Sequence, residues 1–284
     1  MKILVLVDFS EKTLNAARYV AALSWQLPVE KLILYHSYQI MPFASDAPLY
    51  TLTEIDTIKK DSLNKITRIK EELQQIINPA TSIEGYTDQR SLEFALRSIV
   101  DSERIDMVVI GVKHKSLLDK FLFENTTGIL IKECAVPLLL IPEIYKFKTI
   151  SKIGFACDLE DLNNSSTSLE FIKKYANFLN AQLYVVHVAK EGKAQSSDEI
   201  IRKMSKLYNL QNEAKPIYHF INDEDVADGI FKFIREHQID LLMAIPKKHS
   251  FIERLFNRSV TKELLSDTSI PLLILKEPEL TITS

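Results

Sequence analysis

An internal repeat constrains this chain more than any other feature. Residues 105–141 recur at 239–275, shifted by 134 residues with no gap, as an apolar run opened by Asp, a loop, and a second apolar run opened by Pro. Identical residues fall at equivalent positions: Asp106, Lys113, Ser116 and Pro137 become Asp240, Lys247, Ser250 and Pro271. Such a repeat indicates one structural unit that occurs twice, so the fold of one half must also fit the other.

The two halves also begin alike. Each opens with an apolar run that ends in an acid, at Asp8 and at Asp158, and a stretch of helical period follows. A second apolar run then ends in His36 in the first half and in His187 in the second. Each half therefore has the same opening order of strand, acid, helix, strand and histidine.

The chain length suits two domains, because 284 residues is about twice a usual domain of roughly 100 to 150 residues. We predict one domain at 1–146 and a second at 147–284. The polar, basic stretch 145–152 lies between the repeats and has no tract rich in glycine, proline or serine. It predicts a short connection rather than a long flexible tether.

Short apolar runs alternate with longer helical segments in the first half. The runs are almost continuously hydrophobic, which is typical of parallel strands buried on both faces. We predict an α/β fold in each half, with a doubly wound parallel sheet whose strand ends carry the ligand-binding edge. The predicted strands are 3–7, 32–36, 81–86, 107–111 and 137–141. The predicted helices are 11–25, 52–77, 91–102 and 124–134, with Ser10 and Ser91 as N-caps.

Composition narrows the class of protein. Apolar residues make up 46% of the chain and charged residues 26%, as in globular domains. A formal net charge of −3 argues against binding nucleic acid or anionic membranes by charge. The N-terminal apolar run is too short to cross a membrane. Cys134 and Cys157 are too few for a disulfide framework and indicate reduced thiols. We therefore expect a cytoplasmic protein.

These motifs together resemble the universal stress protein family. The resemblance rests on the strand ending in Asp, the strand ending in His, the Asp-led strand with its loop, and the last strand after Pro137 or Pro271. It covers each half almost end to end. It implies two Rossmann-like domains of the adenine-nucleotide-hydrolase type in one chain. It also implies that the halves pack as an intrachain pseudo-dimer through 137–141 and 271–275.

The family's nucleotide-binding members carry Gly, two residues, Gly, nine residues, then Gly followed by Ser or Thr. Those glycines let backbone amides approach the ATP phosphates, and the Asp after the first strand lies by the adenosine. In the first half the pattern positions hold Gly111, His114, Glu124 and Asn125. In the second half they hold Ile245, Lys248, Arg258 and Ser259. Only one glycine remains, and Glu124 adds a negative charge, so we expect neither half to bind ATP in the usual way.

Two readings of the remaining residues stay open. Asp8, Gly111, Lys113 and Lys115 in the first half, with Asp158 and Ser259 in the second, define a vestigial or divergent nucleotide site whose lysines replace backbone amides. Alternatively, Asp8 and Asp158 simply cap the turn or helix that follows each strand.

Other candidates favour plain structural roles. His36 and His187 have no second ligand at metal spacing, so they predict rim histidines rather than a metal site. Ser116 and Ser250 lack a nucleophile elbow, and no Walker A or dinucleotide glycine motif occurs. The loop 41–50 is either a lid or partner surface, or an excursion that packs on its own domain, and the second half replaces it with the polar stretch 190–197.

We therefore expect a stress-response binding or scaffold protein rather than an enzyme, without a resident cofactor or metal. Its expected partners are a protein and a second copy of itself. The alternatives are an ATP-binding or weakly ATP-hydrolysing switch, and a carrier of a small ligand in the vestigial cleft.

Overall fold

The structure of the chain is a computed structural model that describes residues 1–38, 52–113, 130, 134–157, 166–189, 215–245 and 270–275. The described residues divide into two compact units. The first contains Met1–Val112 and the described residues from Leu130 to Phe147, and the second contains Lys113 and the described residues from Lys148 onward. The predicted domains 1–146 and 147–284 remain predictions.

The first unit is a parallel five-stranded sheet with strand order β3-β2-β1-β4-β5. The order places β1 in the middle, so the chain reverses direction across the sheet between β3 and β4. Its elements, in chain order, are β1 Lys2–Leu6, α1 Glu11–Leu23, β2 Lys31–Ser37, α2 Leu52–Leu73, β3 Ser82–Asp88, α3 Leu92–Glu103, β4 Met107–Val112 and β5 Leu138–Pro142.

The second unit repeats this topology, with strand order β10-β9-β6-β7-β8 and parallel pairing throughout. Its described elements are β6 Lys152–Ala156, α4 Ser166–Leu179, β7 Gln182–Ala189, β8 Ile217–Asn222, α5 Val226–His237, β9 Leu241–Ala244 and β10 Leu272–Ile274. The predicted doubly wound α/β fold is confirmed. The helix predicted at 124–134 lies outside the described residues apart from Leu130, which is helical, and Cys134, which is not. The loops 41–50 and 190–197 also lie outside them.

Burial explains why the strands are continuously hydrophobic. All six residues of β4 are buried, because helices cover both faces of a parallel sheet. The edge strands β3 and β8 are only partly buried, and their sequences are correspondingly mixed. The helices bury one stripe each; α3 buries Ala95, Leu96, Ile99 and Val100. No helix in the described part of the chain is long and apolar enough to cross a membrane.

The repeated aspartates hold strand starts together. Asp106 Oδ2 accepts the backbone N–H of Lys2 at 2.7 Å. Asp240 Oδ2 accepts the backbone N–H groups of Ser151 and Lys152 at 2.9 and 3.0 Å. In each unit the aspartate just before β4 or β9 thus ties that strand to the start of β1 or β6, so the fold alone explains this part of the repeat.

The stretch between the repeats is bonded at its start to the first unit. The buried side chain of Asn15 donates through Nδ2 to the carbonyl oxygens of Pro142, at 3.1 Å, and Tyr145, at 2.9 Å. The Tyr19 ring meets the Phe147 ring edge-on, with centroids 5.2 Å apart. The beginning of this stretch therefore packs as part of the first unit.

The two predicted N-caps occupy the expected positions without capping. Ser10 and Ser91 precede α1 and α3, but neither side chain bonds to its helix. In α5, Asp225 does cap, because its carboxylate accepts the backbone N–H groups of Ala227 and Asp228 at 2.8 and 3.2 Å. Ser10 differs because its hydroxyl donates to Asp8 instead.

Candidate functional site

The carboxyl ends of β1, β2 and β4 bring the described candidates of the first half to one edge of the sheet. Asp8 follows β1, His36 lies near the end of β2, and Gly111 and Lys113 lie at the end of β4. This is the edge where doubly wound sheets bind ligands. The other candidates, Lys115, Asp158 and Ser259, lie outside the described residues.

Asp8 is engaged by the start of α1. Its Oδ1 accepts the backbone N–H of Ser10 at 3.0 Å and the hydroxyl of Thr13 at 2.9 Å, and the Lys12 ammonium pairs with Oδ2. Burial acts to raise the pKa of Asp8, but hydrogen bonds from Lys12, Ser10 and Thr13 outweigh it and hold that pKa well below its usual range. Asp8 is thus an ionised carboxylate that organises the turn into α1, although its side chain is still 52% exposed.

Gly111 is required by packing against α1. A Cβ added at Gly111 would lie 2.0 Å from the carbonyl oxygen of Lys12 and 2.8 Å from the backbone nitrogen of Thr13. Those atoms are backbone in the first turn of α1, so they cannot turn aside. The glycine that remains from the family pattern therefore has a structural reason that is independent of any phosphate.

His36 joins the ends of β1 and β2. Its Nδ1 lies 2.8 Å from the carbonyl oxygen of Val7, so Nδ1 carries the proton that is donated and Nε2 presents a lone pair. Burial lowers the pKa of His36, the charge of Lys65 lowers it further, and the bond to Val7 opposes both. The neutral ring packs against Phe9, with centroids 4.2 Å apart, and the Lys65 ammonium lies 5.1 Å from the Phe9 ring.

His187 repeats this geometry in the second unit. Its Nδ1 lies 3.1 Å from the carbonyl oxygen of Cys157, while Nε2 is buried without a hydrogen-bond partner. Both histidines thus tie the end of one central strand to the next, as expected of rim histidines. Across the described ranges, no three His, Cys, Asp or Glu side chains are grouped to hold a metal ion.

The first-unit edge combines an aromatic ring, a neutral imidazole and the ammonium group of Lys65. These groups can stack on or bind a planar or anionic molecule, but they do not form a nucleophile activated by a base. Sequence reasoning missed Lys12, Thr13 and Lys65. The four-residue spacing from Asp8 to Lys12 at a helix start is a sequence signal for their ion pair. No sequence signal places Lys65, since α2 begins beyond a long connection.

Comparison with known proteins adds the family. The model of the "Universal stress protein family" matches residues 1–142 and again residues 150–276. A search of curated proteins finds no match.

The fold is shared with several solved structures. A universal stress protein from Archaeoglobus fulgidus DSM 4304 has a TM-score of 0.68 at 12% identity, covering 97% of this chain and 98% of its own. A putative universal stress protein from Pseudomonas aeruginosa UCBPP-PA14 has a TM-score of 0.57 at 15% identity, covering 97% and 92%. The cytoplasmic domain of a prokaryotic cation chloride cotransporter has a TM-score of 0.57 at 11% identity, covering 98% and 96%. With a family match across each half and the same fold in both units, the chain belongs to the universal stress protein family and carries two of its domains in tandem.

Proposed function

We propose that this tandem protein is a stress-response binding or scaffold protein that does not hold ATP through the family's glycine pattern. The observation that carries the proposal is the backbone contact at Gly111, because it accounts for the remaining glycine without a ligand. Asp8 supports the same conclusion, since Lys12, Ser10 and Thr13 already bind its carboxylate.

The other pattern positions support the proposal through their chemistry. Glu124 places a carboxylate where phosphate would approach, and Ile245 and Arg258 add side chains where glycine would leave backbone amides open. Loss of about 4 kcal/mol of binding free energy turns a micromolar site into a millimolar one.

The proposal also covers how the two domains pair, where the protein is located and what it binds. Two family domains in one chain support an intrachain pseudo-dimer, which we place at the last strands 137–141 and 271–275, with further homodimerisation open to it. We assign it to the cytoplasm, with a protein partner and without nucleic acid or membrane. No catalytic residues are proposed.

Thermal unfolding with and without millimolar ATP and magnesium tests the proposal, because a ligand specific to the folded state raises the midpoint. Trp25 is the single tryptophan and lies in the first unit, so its fluorescence reports that unit while circular dichroism reports both. We expect no shift by either signal. An equal concentration of magnesium with sodium sulfate controls for general salt effects.

A midpoint shift would overturn the proposal and favour the alternative of a nucleotide switch. The double variant Lys113→Ala and Lys115→Ala then identifies the divergent site, because only side-chain cations replace the missing glycines there. Mass spectrometry of freshly purified protein tests the other alternative, a carrier that retains a small ligand.

A further inference from the structure

Two histidines of the second unit lie in contact away from the ligand-binding edge. The rings of His219, on β8, and His237, at the end of α5, have centroids 4.2 Å apart and are tilted by 56°. Tyr184 of β7 and Phe233 of α5 complete the group, with centroids 5.8 and 5.2 Å from that of His219. We call these four residues the His219 cluster.

One nitrogen of this cluster has no partner. His219 Nε2 is buried and makes no hydrogen bond within the described part of the chain. In the neutral ring, leaving Nε2 without a hydrogen bond costs little free energy if Nε2 is the unprotonated nitrogen. Protonation would bury an unpaired N–H group that carries positive charge, which is much less favourable. A second proton on His237 would add repulsion between two like charges in contact.

Few other ionisable groups face the pair among the described residues. From β7 comes the phenol ring of Tyr184, with its centroid 5.8 Å from that of His219. From β6 comes Lys152, whose ammonium donates to the carbonyl oxygen of His237 at 3.0 Å. Burial lowers the pKa of His219, and the charge that His237 carries when protonated lowers it further. No carboxylate in the described ranges acts on His219 to offset these effects.

The first unit lacks this pair. In the sheet register Tyr86 pairs with Tyr35, the residue before His36, just as His219 pairs with Val186, the residue before His187. Tyr86 thus takes the place of His219, and the 134-residue repeat places Glu103 where the second unit has His237. There, Glu103 lies 3.7 Å from the ammonium of Lys31. The same fold therefore forms without histidine at either position.

We propose that the His219 cluster is a pH-sensitive element, in which protonation of the His219 imidazole at mildly acidic pH loosens the edge strand β8 from α5. The direction of this pH dependence follows from the lowered pKa of His219. Since the pKa of His219 is lower in the folded state than in the unfolded chain, the unfolded form takes up protons more readily as pH falls. Stability of β8 is therefore full above the unfolded value of about 6.5 and declines below it.

Hydrogen–deuterium exchange of the full chain at pH 7.5 and 5.5, corrected for intrinsic exchange rates, tests this proposal. In the wild type we expect a severalfold loss of protection at pH 5.5 in peptides that cover Ile217–Asn222. Replacement by the first-unit residue, His219→Tyr, is expected to abolish that loss. Comparing wild type with variant at each pH removes the contribution of His36, which both proteins share.

His237→Glu supplies the second, opposite test. A carboxylate beside His219 stabilises its protonated ring, so NMR titration of the His219 ring protons should show a higher pKa, and β8 should keep its protection at pH 5.5. His237→Gln, with a neutral side chain, should give an intermediate result. Equal acid-induced loss in wild type and His219→Tyr would overturn the proposal. So would a His219 titration that neither His237 substitution moves.

Discussion

At the scale of single residues, the candidate residues at the sheet edge already have packing or hydrogen-bond partners within the first unit. Asp8 was predicted from its place after an apolar strand, and its two open readings were ligand contact and turn formation. The contacts with Ser10, Lys12 and Thr13 give it the second role, while half its side chain stays exposed. The sequence places Gly111 in a vestigial or divergent nucleotide site, and no sequence rule shows how closely α1 lies on it.

Gly111→Ala tests that contact. The added Cβ meets backbone of α1, so we expect the first unit to lose roughly 3 kcal/mol, at the upper end of overpacking effects. Urea unfolding followed by Trp25 fluorescence measures the loss. Gly154→Ala, followed by circular dichroism, is the matched control, because its Cβ would come no closer than 3.2 Å to the side chain of Ile239 and 3.3 Å to that of Phe233. We expect it to lose about 1 kcal/mol. Equal losses would contradict the assignment of Gly111.

The stability of the first unit should depend on pH through His36. Because burial lowers its pKa in the folded state, the unfolded chain binds the proton more readily. The unit's stability should be full above about pH 6.5 and should decline as pH falls from there. Trp25-detected urea midpoints between pH 7.5 and 5.5 measure the decline. His36→Gln, which cannot titrate, should show a smaller fall of the urea midpoint with falling pH. If the fall is unchanged, another group causes it.

At the scale of helices and strands, the sequence predicts most of the first unit to within a few residues. Continuous apolar runs locate β1, β2, β4 and β5 because burial on both faces demands them. Edge strand β3 begins at Ser82 and ends at Asp88, slightly later than predicted, since a half-buried edge carries a weaker pattern. The His219 cluster was missed, because its members come from three elements and the first half has no histidine pair to repeat.

Capping allows a matched test between equivalent helices. Asp225 caps α5 through two backbone N–H groups, whereas Ser91 precedes α3 without a side-chain bond. Asp225→Ala should therefore destabilise the second unit by about 1 kcal/mol. Ser91→Ala should change the first unit by less than about 0.5 kcal/mol. Circular dichroism of urea unfolding measures both, and a larger effect of Ser91→Ala would show that Ser91 caps α3 in solution.

At the scale of the whole molecule, the repeat and the family match agree that the chain carries two domains, but a repeat does not fix where one domain ends. Asn15 bears on that boundary. Its side chain binds the carbonyl oxygens of Pro142 and Tyr145, so the residues after β5 still belong to the first unit's packing. A fragment that ends near residue 146 keeps these bonds and all five strands of the first sheet.

The fragment 1–146 should therefore fold alone, as judged by circular dichroism and a cooperative Trp25 transition. The fragment 1–112 lacks β5 and the partners of Asn15, so it should not. Because the proposed pseudo-dimer pairs the last strands, fragment 1–146 should also form a dimer in sedimentation analysis, with Leu139→Lys favouring the monomer. A folded monomer would keep the domain boundary and show that 137–141 does not pair with a second copy of itself. An unfolded fragment would show that the predicted boundary at 146 is wrong.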